Sequence, residues 1–129
     1  MSLNGAMRAS ARGLSAERTR MDLTSVNLAN ANSMKVGFND AYRARIAILS
    51  ASPEGPKIEK IVADQSDFRR VQDLGNPNAD AKGWVTYSNV NPIHQMVDMM
   101  SAQRSYEANI AAFNSAKSMN RMALTIGRV

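Results

Sequence analysis

His94 is the one histidine in this sequence, and there is no cysteine. A site built on imidazole or thiolate would need partners that the chain does not supply, and disulfide or thiol chemistry is excluded. The carboxylates offer more. Asn76, Asn78 and Asp80 stand at alternate positions, as oxygen ligands do at the start of a calcium-binding loop. That pattern also needs glycine at its sixth position and glutamate at its twelfth, where this sequence has Ala81 and Tyr87. Asp73 and Asp80 could form a carboxylate pair, but Asn76, Asn78 and Lys82 beside them read as turn chemistry. Gly75 and Gly83 lie eight residues apart with no Gly-Lys-Ser/Thr, so no phosphate-cradling loop is present. No Ser–His–acid constellation has a supporting context. The residues that could do chemistry therefore point away from an enzyme, and no metal or cofactor is expected.

The elements that position these residues are dominated by two helical patterns, one at each end. Asn91 is a good N-cap, and Pro92 follows it at the first helical position, where a missing N–H costs nothing. The pattern then runs unbroken to about Ile126. Such a helix is about 50 Å long at 1.5 Å per residue, whereas a compact domain of this length is only about 30 Å across. One element outruns its own body, as expected of a chain packed by neighbours. Two seven-residue series lie side by side on it: Met99, Tyr106, Phe113, Asn120, and Met96, Gln103, Ile110, Lys117, Leu124. Alternating them gives a coiled-coil-like stripe of Met96, Met99, Tyr106, Ile110 and Phe113. Gln103, Lys117 and Asn120 either interrupt the seam, fixing register and partner number, or lie just off it.

The first 30 residues carry a matching series, Met7, Leu14, Met21 and Leu28, which drifts by only about 20° per heptad on an ideal helix. The flanking positions are small, and Gly13 costs the helix about 1 kcal/mol against alanine. Asn27, Asn30 and Asn32, three in six residues, mark the exit. Between the helices the period shortens. Residues 42–49, 57–63, 67–71 and 84–87 read as short strands, with a turn at Ser52-Pro53-Glu54-Gly55-Pro56 and a polar loop from Gly75 to Gly83. The expected fold is mainly α with a small β-rich insert, the two long terminal helices packed as an antiparallel pair and completed by neighbouring subunits. Residues 1–33 form the N-terminal helix and exit, 34–90 the connector and insert, and 91–129 the C-terminal helix. A lone helix hairpin with so thin a seam is under-supported, so the isolated monomer is expected to fray at its terminal helices.

Composition bounds the partners. The net charge is +5, but the basic residues are spread: residues 1–45 carry seven Lys/Arg against three acids, 46–91 five against six, and 92–129 four against two. No concentrated footprint for nucleic acid results. No run approaches the ~20 apolar residues of a membrane span, so direct membrane insertion is not expected. Arg8, Arg12, Glu17, Arg18 and Arg20 break any secretory-signal core, so a route out of the cytoplasm would read no cleaved signal. Nine methionines against three phenylalanines suit adaptable helix contacts or plain core filling.

Three stretches carry a family resemblance. Ser25-Val26-Asn27-Leu28-Ala29-Asn30-Ala31-Asn32-Ser33 is similar to the Asn-Leu-Ala-Asn-Ala motif of flagellar rod and hook proteins. Gly75-Asn76-Pro77-Asn78-Ala79-Asp80-Ala81-Lys82-Gly83-Trp84-Val85 and the stretch from Asn89 through Met96-Val97-Asp98-Met99-Met100-Ser101-Ala102-Gln103-Arg104-Ser105-Tyr106-Glu107-Ala108-Asn109 narrow it further. Together they resemble the bacterial flagellar basal-body rod proteins, within them the proximal rod subunits. Residues 34–44 depart from the family's Gly/Pro-rich connector, with Ala41 at the usual proline, and Trp84 stands where tyrosine is usual. The resemblance implies a structural subunit of the drive shaft that crosses the periplasm, exported by the flagellar type III apparatus without a cleaved signal. Its implied partners are its own copies, other rod subunits, adjacent basal-body proteins and that apparatus. It also implies terminal helices forming an inner tube and an insert facing outward. Met7, Leu14, Met21, Leu28, Met96, Met99, Tyr106, Ile110 and Phe113 are then the candidate packing residues. Asn27, Asn30 and Asn109, whose amides donate and accept, would either cap helices within the chain or bridge subunits. Pro77, Asp80 and Trp84 are candidate interface residues of the loop motif.

Overall fold

A computed structural model describes residues 2–128. Helix α1 spans Leu3–Ala29 and helix α2 spans Pro92–Ile126, with four strands between them: β1 (Arg45–Ser50), β2 (Lys57–Ala63), β3 (Arg69–Gln72) and β4 (Trp84–Tyr87). Both helix starts are capped by side chains. The Ser2 hydroxyl accepts from the Gly5 N–H at 3.1 Å, and the Asn91 amide oxygen accepts from the N–H groups of Ile93 and His94. These contacts satisfy donors that have no partner within a helix's first turn. The long C-terminal helix thus begins and ends where its sequence pattern does. The strands beginning at 42 and 67 in the sequence reading start later, at Arg45 and Arg69. In the first case, the N–H groups of Tyr42 and Ala44 are taken by side chains, Ser33 Oγ and Asn89 Oδ1, rather than by a neighbouring strand.

The helices pair antiparallel. Asn27 meets Gln95, and Gly13 meets Asn109, so the same interval separates the contacts on both helices. At that register α1 runs out opposite about residue 119, and the last two turns of α2 overhang it. The insert is two separate antiparallel hairpins rather than one sheet: β1 with β2, and β3 with β4. The first hairpin lies along α1. Its base is held where Asn27 bonds Arg45, and its tip packs where Gly55 meets the Ala9 backbone and Glu54 pairs with Arg12. Gly55 has φ +115, and a Cβ there would sit 2.9 Å from the Ala9 Cα, so only glycine fits this close approach. The second hairpin sits beside the helix exit, where residues 33–35 add backbone bonds to the β4 side: Lys35 N–H to Thr86 O at 2.8 Å and Ser88 N–H to Ser33 O at 2.9 Å.

What is buried is small. Ala31, Ala44 and Val90, covered by Tyr42, form the cluster at the junction between helices and insert. Along the helix pair the buried residues are Ser10, Gly13, Ala16, Thr24 and Asn27 on α1, and Ala102 and Ala116 on α2. Small side chains let the two backbones come close but bury little apolar area, while Ile93, Val97, Met100, Met122, Leu124 and Ile126 are each more than half exposed. The chain on its own therefore leaves these six large side chains in water while its buried helix positions are small.

Candidate assembly surface

Asn27 is the best-connected side chain of the helix pair. It is 2% exposed. Its amide NH2 donates to the Arg45 carbonyl at 2.9 Å and to Gln95 Oε1 at 3.1 Å, and its oxygen accepts from the Arg45 N–H at 2.9 Å and the Tyr42 hydroxyl at 2.8 Å. A side-chain amide can offer two donors and two lone pairs, and here all four are used. One residue so joins α1, the connector, β1 and α2. Burial raises the Tyr42 pKa, with the Arg45 charge opposing it. Because the folded value lies above the unfolded one, the associated stability is present below pH about 10 and is lost as pH rises through the folded pKa. Asn30 caps the end of α1, its NH2 donating to the Val26 carbonyl at 2.8 Å. The Asn109 NH2 donates to the Ser105 carbonyl at 3.0 Å and its side chain covers Gly13.

The packing residues read from the heptads fall into two groups. Met99, Tyr106 and Phe113 are half-buried, as are Met7, Leu14, Met21 and Leu28, while Met96 is 53% and Ile110 is 39% exposed. The seam between the helices runs through Met99, Ala102, Tyr106, Asn109, Phe113 and Ala116, a regular 3–4 spacing. It passes one position to the side of the series containing Met96 and Ile110, so the intrachain stripe drawn through those two is corrected. Gln103 and Lys117, in that same series, are exposed beside the seam. On α1 the seam likewise follows Ser10, Gly13, Arg20, Thr24 and Asn27, with the Met7 series on its flank. The first hairpin meets α1 through Ala9, Arg12 and Asn27. At 3.6 residues per turn, this is the flank opposite Met7, Leu14, Met21 and Leu28. The same geometry puts Met96 and Ile110 on that open side too. Met96 and Ile110 thus line an exposed side of the helix pair, and the Met7 series flanks the seam on that side, half-buried.

A second uncovered strip faces directly away from α1. It begins with Ile93, Val97 and Met100 and ends with Met119, Met122 and Ile126, all exposed. Between them lie Arg104, Glu107, Ala108, Ala111, Ser115 and Ser118, mostly small residues against which another helix could pack closely.

The loop motif is organised by turn bonds. Asp80 Oδ1 accepts from the N–H groups of Lys82 and Trp84 at 2.8 and 2.9 Å, and Oδ2 pairs with Arg70 at 3.2 Å. Arg70 also lies over the Trp84 ring, and Asn76 Oδ1 accepts from the Asn78 N–H. Two of the three side chains that looked like calcium ligands, Asn76 and Asp80, are therefore engaged by backbone N–H groups and by Arg70. Pro77, Asp80 and Trp84 line a shallow recess of about 510 Å³ together with Lys35 and Arg70. The Trp84 N–H bond, helped by the Lys82 N–H and by the Arg70 and Lys82 charges against a desolvation cost, holds the Asp80 carboxyl below its ordinary value. The loop's support from Asp80 is thus complete above pH about 4 and disappears as pH falls through the lower, folded pKa. Asp80→Ala should red-shift Trp84 fluorescence at pH 7 while Asp80→Asn, which keeps the accepting oxygen, should not. Identical spectra for wild type and Asp80→Ala across pH 2–7, an acid titration of about five units, would refute this account.

Three residues important to the site carry no strong sequence signal. Asn89 accepts from the Ala44 N–H at 2.8 Å and donates to the Asp64 and Ser66 carbonyls, while Arg43 bonds the same two carbonyls and lies 4.2 Å from the Phe68 ring centre. Between them they pin the 64–68 loop to the connector. Gln95 is legible only as a polar residue one turn into α2, and its partner is set by folding.

A pair of helices joined through small residues, with large apolar side chains outside and its polar loop committed to turns, is the build of a helix-packing structural protein. Residues 81–126 match the family described as "Flagellar basal body rod FlgEFG protein C-terminal". Curated relatives extend the match to nearly the whole chain. The flagellar basal-body rod protein FlgC of Bacillus subtilis (strain 168) is 38% identical, over 92% of this chain and 94% of the relative. Those of Salmonella typhimurium (38%, over 89% and 90%) and Borreliella burgdorferi (32%, over 98% of both) are similar in the same way. The chain belongs to the FlgC family of flagellar basal-body rod proteins and is a structural component of the rod.

Proposed function

We propose that this chain packs in the proximal rod against its own copies and other rod subunits through the two uncovered sides of its helix pair. The observation that carries this reading is the pair of exposed apolar strips: Met96 and Ile110 beside the Met7 series, and Ile93, Val97, Met100, Met119, Met122 and Ile126 along the back of α2. Strips of exposed apolar side chains on a monomer mark contact sites, and burying each such side chain contributes about 1.5–3 kcal/mol. In this reading residues 1–33 and 91–129 form the inner layer and residues 34–90 the outer one, and the subunit transmits torque through the helix contacts. Delivery by the flagellar export apparatus without a cleaved signal accords with charges that interrupt any apolar core in the first 30 residues. Asn27, Asn30 and Asn109 act within the subunit on this reading, since their bonds are made inside the chain. Among the described residues no helix is long and apolar enough to cross a membrane, which accords with a rod position.

Met100→Glu combined with Met122→Glu tests the proposal in cells lacking their own copy of the subunit. Both positions are more than half exposed, so the monomer should keep its helix content by circular dichroism. Rod completion and swimming should be lost. Wild-type motility with the double variant would eliminate the back of α2 as a packing surface.

A further inference from the structure

Among the described residues, the methionines divide sharply by exposure. Met96, Met100, Met119 and Met122 are 53%, 64%, 52% and 58% exposed, and all four are on α2, Met96 on the side that carries Ile110 and the other three along its back. Met7, Met21, Met34 and Met99 are half-buried, against the helix seam or in the connector. We propose that the four exposed methionines are oxidation sites of the unassembled subunit, and that their sulfoxidation by hydrogen peroxide prevents its incorporation. The reaction is balanced without any group from the protein. The thioether sulfur attacks one peroxide oxygen, the O–O bond breaks, an S–O bond forms and water leaves. Sulfur is oxidised by two electrons and peroxide is reduced.

Two physical points carry the inference. Thioether oxidation follows access to the sulfur, and the alternative of aliphatic residues at such positions would be inert. The sulfoxide replaces a flexible apolar tip by a strongly polar, chiral one. On an exposed helix face in water this costs almost nothing, so the oxidised monomer keeps its fold. On docking against an apolar neighbour the sulfoxide oxygen loses its hydration without a built partner, which disfavours association. No cysteine competes for oxidant anywhere in the chain. Once the subunit is packed, the same sulfurs are covered. The device therefore acts before assembly and is silent after it. The consequence for incorporation rests on the packing role proposed above; the order of oxidation does not.

The experiment treats the purified full chain with dilute hydrogen peroxide, maps sulfoxides by peptide mass spectrometry, and measures incorporation into rods with partner subunits. Met96, Met100, Met119 and Met122 should oxidise several-fold faster than Met7, Met21 and Met99. Incorporation of the oxidised chain should fall roughly ten-fold or more, the change expected for an unpaired polar group at a buried contact. Methionine sulfoxide reductases should restore it. A variant with leucine at all four positions should incorporate to the same extent before and after peroxide, whatever its starting level. Uniform oxidation of all the methionines would overturn the assignment of sites. Normal incorporation of the four-fold sulfoxide would overturn the switch. If the Met100→Glu, Met122→Glu variant is still excluded in that second case, only the switch has failed; if that variant also incorporates, the packing surface itself is wrong.

Discussion

Asn27→Leu should destabilise the monomer by roughly 3–5 kcal/mol, because leucine keeps the branched shape and removes all four hydrogen bonds at once. The Arg45 N–H, the Arg45 carbonyl, Gln95 Oε1 and the Tyr42 hydroxyl would be left facing an apolar side chain. Each buried polar group without a partner costs about 1–3 kcal/mol, and water reaching the edges of the site would recover part of the sum. Against a typical domain stability of about 5–15 kcal/mol this is a large fraction, corresponding to a fall in melting temperature of roughly 10–20 °C for a chain of this size. Two milder variants separate the contributions. Gln95→Ala and Tyr42→Phe each remove one bond and leave the hub's other contacts in place, so each should cost about 1 kcal/mol. Thermal unfolding followed by circular dichroism measures all three. An Asn27→Leu variant that melts with the wild type would show that the hub is a consequence of the fold rather than a support of it.

Gly13→Leu should be comparably severe, by a steric route. A Cβ at Gly13 would lie 2.7 Å from the amide atoms of Asn109, well inside contact distance. Leucine must therefore push Asn109 off its bond to the Ser105 carbonyl or separate the helices, and both open the seam. Overpacking of this kind costs about 1–3 kcal/mol, and separation of the neighbouring small-residue contacts adds to it. Gly13→Ala is the informative comparison. Alanine gains about 1 kcal/mol in helix propensity, which offsets part of the clash and leaves a small net change. Combining it with Asn109→Ala removes the obstacle, so the double variant should be more stable than either single variant. That non-additivity is the signature of direct contact. Additive effects would place Asn109 elsewhere than against Gly13.

Gly13 also illustrates what could be read without coordinates. As a residue in a helical pattern it looks like a defect of about 1 kcal/mol; it becomes an asset only when a second helix approaches at that point. The Met7, Leu14, Met21, Leu28 series was legible as one stripe, because heptad spacing places residues on a common face whatever lies opposite. Which stripe faces the partner helix was not. The seam through Ser10, Gly13, Thr24 and Asn27 is built of small and polar residues that a search for apolar periodicity passes over.

Local chemistry was decided close to each residue, and there sequence was sufficient. Capping by Asn91, the bounds of α2, the turn bonds of Asn76 and Asp80 and the absence of thiol chemistry all depend on neighbours within a few positions. So does the motif order that marks the rod family. The tertiary structure alone decided which helix faces meet, that Asn27 spends its whole amide inside the chain, and that the first hairpin lies along α1. Those outcomes join residues as far apart as Asn27 and Gln95, and depend on which small side chains let two backbones come close. Periodicity records that a face is apolar; only packing determines whether that face is closed by the chain itself or left for another subunit.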